Sequence, residues 1–98
     1  MHSGMACEAL QKGVCLDLRY HGFTRTVEVH AVGISTADHP VMRCWQLRGG
    51  SKSHEPVGWK LLRLDEIAGV ALTTEKSLAP RKGYKHGDRD MKRISCPL

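Results

Sequence analysis

Val14-Cys15-Leu16-Asp17-Leu18-Arg19-Tyr20 is the stretch on which the fold turns. Val14, Leu16, Leu18 and Tyr20 alternate with Cys15, Asp17 and Arg19. That is the period of a strand with one buried face. His21-Gly22 follows as a tight turn, and Phe23 to Ile34 resumes an extended pattern rich in Thr and Val. Two such segments joined by two residues predict a hairpin.

Upstream, Met5 to Lys12 has helical spacing, with Ala6 and Leu10 one turn apart and Gly13 placed to stop the helix. Downstream, Ala37-Asp38-His39-Pro40 punctuates the chain and Val41 to Leu47 reads as a third strand. Arg48 to Pro56 is a loop of Gly, Ser and charged residues. Val57 to Leu64 reads as a fourth strand, with Val57, Trp59 and Leu61 on one face. Asp65-Glu66-Ile67 reads as a single helical turn, and Val70 to Thr74 as a short fifth strand. Beyond Pro80 the pattern dissolves, with Asp88 placed to cap a short helix through Arg93.

One helix and five short strands predict a mainly β protein. The expected architecture is a small five-stranded SH3-like or Sm-like barrel over residues 1–75, since closure removes exposed edges. Val14, Leu16, Leu18, Val27, Val29, Leu61 and Leu64 are its expected core. Residues 76–98 are expected to be a basic, loosely ordered extension. Five strands are too few for an immunoglobulin sandwich, and no strand leads into a long helix as a parallel α/β sheet requires.

The 98 residues suit one domain, and 41% apolar with 26% charged residues is ordinary for a globular chain. No apolar run approaches the roughly 20 residues of a membrane span, and no secretory h-region follows Met1. The net charge of +5 is unevenly placed. Residues 1–75 hold eight bases and eight acids. Residues 76–98 hold Lys76, Arg81, Lys82, Lys85, Arg89, Lys92 and Arg93 against Asp88 and Asp90. Such a segment is attracted to polyanions, or else simply keeps the chain solvated. Cys7, Cys15, Cys44 and Cys96 show neither dense disulfide spacing nor a zinc pattern, and the six histidines are dispersed. These features predict reduced thiols, a cytoplasmic location and no metal or other cofactor.

Several residues are candidates for binding. Arg43 shares strand parity with Val41, Trp45 and Leu47, and Arg63 shares it with Val57, Trp59 and Leu61. A charge on an apolar face is costly unless it is paired or meets a ligand. Guanidinium forks suit phosphate oxygens; the alternative is an ion pair, Arg43 with Glu28 or Asp17 and Arg63 with Asp65. Trp45, Trp59 and Tyr20 are core residues by default and stacking platforms if exposed. No serine has an adjacent base or an elbow motif, and no carboxylate pair shares a strand face, so no enzyme chemistry is expected. Gly49-Gly50-Ser51-Lys52-Ser53 lacks the spacing of a phosphate-binding P-loop and reads as a chain reversal whose lysine can touch a phosphate.

The segment from Val14 to Thr74 resembles the WYL-type domain of bacterial regulators. The likeness rests on the strand ending Arg19-Tyr20, on Arg25-Thr26-Val27-Glu28, on Val41 to Leu47, and above all on Trp59-Lys60-Leu61-Leu62-Arg63-Leu64-Asp65-Glu66-Ile67. A narrower group of short, free-standing bacterial proteins is similar also at Gly49-Gly50-Ser51, Gly58-Trp59-Lys60 and Pro80-Arg81-x-Gly83-Tyr84. The family's name-giving tripeptide is absent, with Val41-Met42-Arg43 near its place, and Val29 stands where the family commonly has proline. Thirteen residues before the first strand leave no room for a helix-turn-helix.

The resemblance implies a regulatory barrel that binds a charged ligand, nucleic acid or nucleotide, without catalysis. The expected contact residues are Arg43, Arg63, Trp45, Trp59, Tyr20, Lys60, Arg81, Lys82 and Lys85. The alternative is a protein-docking module with a solubilising tail. A membrane is not expected among the partners.

Overall fold

The computed structural model describes residues 2–98. It places 55% of the chain in strands and 13% in helix, so the mainly β expectation holds. The elements are α1 (Ser3–Lys12), β1 (Val14–Tyr20), β2 (Phe23–Ser35), β3 (Pro40–Gly49), β4 (Gly58–Arg63), a 3-10 turn (Leu64–Glu66), β5 (Ile67–Lys76) and β6 (Met91–Pro97). Gly13 ends α1 in the left-handed region at φ 68°, with its N–H turned back on Ala9 and Leu10. The β1–β2 hairpin pairs Tyr20 with Phe23 and Leu16 with Val27.

The strands form one antiparallel sheet in the order β4-β3-β2-β1-β5. At 13 residues, β2 is long enough to serve three partners. It pairs with β3 along nearly its whole length, with β1 over Phe23–Val27, and with β6 over Ala31–Ser35. The sheet therefore has six strands where five were expected. The sixth comes from the basic segment, so residues 91–97 are a strand rather than a loose tail or a capped helix. The physical reason is local: β1 stops pairing at Val27, leaving the C-terminal half of β2 with free backbone groups that Met91–Pro97 satisfies.

A bulge in β2 organises the two faces. Val29 faces Cys44 and Ala31 faces Arg43, so His30 has no opposite number on β3. Before the bulge Val27 and Val29 point inward, and after it Val32 does. The main core joins these to Leu16, Leu18, Met42, Leu62 and Leu64, with Ala6 and Ala9 of α1 closing over them. Val14 and Leu61 were expected there. Val14 is half-buried outside this cluster, and Leu61 packs with Ala31, Val41, Met91 and Ile94 on the opposite face.

That opposite face corrects the parity reading of two strands. Met42, Cys44 and Gln46 line the interior, whereas Arg43 and Trp45 point outward. In β4, Leu62 is interior, whereas Trp59 and Leu61 are outward. Both faces carry apolar residues because both are covered, one by α1 and the main core and the other by residues 77–97. A strand buried on both sides loses the alternation that identifies its inner face.

The thiols also differ from expectation. Cys7 of α1 and Cys96 of β6 form a disulfide, with Cα atoms 5.8 Å apart across a sequence separation of 89. No local spacing signals such a pair, because only the fold brings the chain ends together. Cys15 and Cys44 remain free and buried. Burial pushes the Cys15 thiol up to about 11 and the Cys44 thiol up to about 12, so both are inert at neutral pH. The cytoplasmic expectation loses the premise of four reduced thiols. Among the described residues no helix is long and apolar enough to cross a membrane.

Candidate functional site

Residues 77–90 cross the outer face of β2, β3 and β4 without regular structure, as a strap held by three anchors. The first is Glu28, fully buried on β2. Its carboxylate accepts hydrogen bonds from Leu78 N–H at 2.7 Å and from Arg81 Nε at 2.6 Å and Nη2 at 3.2 Å. The second is the bulged His30, which donates from Nδ1 to the Glu28 carbonyl at 2.9 Å and accepts Arg81 N–H at Nε2, also at 2.9 Å. This arrangement uses the neutral ring, and burial holds the imidazole below its usual range. The third anchor is Asp88, which takes Arg43 Nε at 2.7 Å and Nη2 at 3.2 Å. Arg43 also reaches Asp90 at 2.7 Å. The hydrogen bond from Arg43 holds the Asp88 carboxyl below the usual carboxylate range.

The strap and the sheet enclose an aromatic cluster. His30 meets Trp59 edge-on at 4.8 Å and lies 5.1 Å from Tyr84, and Trp45 meets Trp59 at 5.3 Å. The Arg81 guanidinium sits 5.6 Å above the Trp45 ring. Beside this cluster opens a cleft of about 530 Å³ lined by Arg43, Trp59, Tyr84, Lys85, Asp88 and Arg89. Trp45, Trp59 and Tyr84 are all half-buried, intermediate between the core and stacking readings.

The expected contact residues divide into groups. Trp59, Arg43 and Lys85 meet at the cleft, with Trp45 and Arg81 behind it. Arg43 takes the ion-pair reading, with Asp88 and Asp90 as partners rather than Glu28 or Asp17. Arg63 pairs locally with Asp65 at 2.6 Å and with Glu66 at 3.4 Å, so its proximity in sequence is its explanation. Tyr20 is buried, its hydroxyl accepting Arg63 N–H at 3.1 Å, and offers no stacking face. Lys60 points to the other side of β4, where its ammonium donates to the hydroxyls of Ser51 and Ser53. Lys82 lies in the strap and is exposed. Tyr84 and Arg89 complete the cleft; Arg89 was expected to act only as one of the bases of the C-terminal segment, and Tyr84 stood only in the resemblance. Their signal was weak, an aromatic and a base in a Gly-rich stretch without periodicity.

Ion pairing sharpens the charge argument. Among the described residues eight acids are paired, with only Asp17 and Glu55 outside ion pairs. Among the described residues nine lysines and arginines lack a carboxylate partner, including Lys82, Lys85 and Arg89 around the strap. No family model matches this chain, and no significant match was found among curated proteins or solved structures.

Proposed function

We propose that this chain is a non-enzymatic, regulatory module of WYL type, built on an Sm-like barrel, that binds nucleic acid or a nucleotide through the strap and its cleft. The observation that carries the reading is the placement of Lys85 and Arg89, free of carboxylate partners, beside the half-buried Trp59 and Tyr84. Bases without partners supply phosphate contacts, and a half-open aromatic supplies a stacking face. The strand order β4-β3-β2-β1-β5, with a long β2 shared by three partners, supports the barrel.

Arg43 acts in this reading as the clamp that holds Asp88 and so shapes the cleft wall. Binding of a labelled single-stranded oligonucleotide tests it. The Lys82→Ala/Lys85→Ala/Arg89→Ala variant is expected to bind more weakly with its fold intact, and unchanged binding overturns the assignment. The protein-docking alternative draws on a different observation: Val57 and Leu78 are exposed by 56% and 60%.

A further inference from the structure

We propose a second binding site, at the end of the barrel closed by the β1–β2 turn and the β3–β4 loop, for a single phosphate group. Arg25 and Lys60 are its counter-charges.

Arg25 is 3% exposed and touches no carboxylate. Its Nη1 donates to Gln46 Oε1 at 3.3 Å and its Nη2 to the Tyr20 carbonyl at 3.2 Å, whereas Nε has no partner. The rings of Tyr20 and Phe23 flank it at 5.1 and 5.7 Å. Such ring contacts offset only part of the desolvation of a buried cation. Glu66, which accepts from the Tyr20 hydroxyl, is also engaged by His21 and by Arg63.

Lys60 belongs to the same end. It shares the inner face with Cys44. Its ammonium donates to Ser51 Oγ at 3.2 Å and Ser53 Oγ at 3.3 Å, with no carboxylate in reach. Gln46 accepts from Arg25 and donates from Nε2 at 3.1 Å to the carbonyl of Gly50, the residue before the Ser51 that Lys60 holds. Phe23, 37% exposed, covers Arg25 from outside and lies so close to Gly50 that a Cβ there would overlap its ring. Turning Phe23 aside opens Arg25 to an anion, which the unused guanidinium N–H groups, the Lys60 ammonium and the two serine hydroxyls then hold.

The site is separate from the strap cleft, because Trp59 and Lys60 point to opposite faces of β4. It does not rest on the nucleic-acid reading.

Thermal unfolding with inorganic phosphate and with a nucleoside monophosphate, against chloride at equal ionic strength, tests the proposal. Both are expected to raise the wild-type melting temperature. In the Lys82→Ala/Lys85→Ala/Arg89→Ala variant, a larger rise with the monophosphate identifies an esterified phosphate as the ligand of this site, and an equal rise identifies free phosphate. Arg25→Met is expected to remove the response while melting no lower than wild type, since it deletes an uncompensated buried charge. Lys60→Met, a change at a half-buried position that leaves Arg25 in place, is expected to weaken phosphate binding about tenfold or more. To inorganic phosphate, the Lys82→Ala/Lys85→Ala/Arg89→Ala variant is expected to respond like wild type. No wild-type response, or an undiminished response in Lys60→Met, overturns the site whatever the stability of Arg25→Met.

Discussion

Arg81 and Glu28 form a two-pronged ion pair, with Nε at 2.6 Å and Nη2 at 3.2 Å from a carboxylate that is wholly buried. Glu28 sits mid-strand on β2 and Arg81 in an irregular segment 53 residues later. The pair is thus what fastens the strap to the sheet. Arg81→Met would leave the carboxylate buried without its counter-charge, at a cost of about 3 kcal/mol. Chemical denaturation measures that loss. Trp45, which lies under the guanidinium, should report the change in its emission. Stability equal to wild type would show that the strap is not held this way.

The second anchor makes the strap sensitive to acid. His30 works as a neutral acceptor, and burial lowers its folded-state value below that of the unfolded chain. Its contribution is therefore full above about pH 6.5, the ordinary histidine value, and is lost as pH falls through the lower folded value. The protonated ring cannot accept Arg81 N–H. Unfolding free energy is expected to fall on acidification below that point, and His30→Gln is expected to flatten this part of the profile. Hydrogen exchange at Arg81 N–H, followed across the same range, separates strap release from global unfolding.

Arg43 and Arg63 should respond differently to deletion. Arg43 is held by a mostly buried Asp88, whereas the Arg63 pairs lie at the surface. Arg43→Ala is expected to lower stability by about 2 kcal/mol, and Arg63→Ala by less than about 1. Asp88 has a depressed folded-state value, so its contribution is present above the unfolded carboxylate range and disappears as pH falls through the folded value. Melting curves of the two variants at neutral and acid pH check both statements. Equal losses would remove the distinction between a clamp and a surface pair.

The disulfide joins the two ends of the chain. A loop that spans 89 residues is worth about 4.6 kcal/mol in the chain-entropy account. Reductant is expected to lower the melting temperature of wild type. Cys7→Ala/Cys96→Ala should melt with the reduced protein and ignore reductant. Cys15 and Cys44, buried and with raised thiol values, should react with neither alkylating agent nor oxidant until the chain unfolds. Rapid labelling of the native protein at either position would contradict this.

What the sequence made legible follows the local rules. The period of Val14 to Tyr20, the His21-Gly22 turn and the stop at Gly13 depend on neighbours in the chain, and each reading was right. Long-range relations were not legible. The bulge at His30 shifts parity within β2, which no alternation pattern announces. Arg43 and Trp45 read as inward because the strap and β6 cover the outer face with Met91, Ile94 and Tyr84. The partners of Arg43 lie 45 and 47 residues away. Arg63, whose partner is two residues away, was correctly paired from sequence alone. Arg25 stood out only as part of the resemblance, since only the folded chain reveals a cation without a carboxylate.

Polyanion binding by the strap, as proposed, is read from the salt dependence of oligonucleotide affinity. For wild type, the logarithm of the association constant should fall linearly with the logarithm of salt concentration, by about 0.7 units per phosphate contact on a single strand. Removing Lys82, Lys85 and Arg89 together is expected to weaken binding and reduce that slope by about 2. No binding at low salt with the fold intact, or a slope unchanged in the triple variant, would contradict the claim.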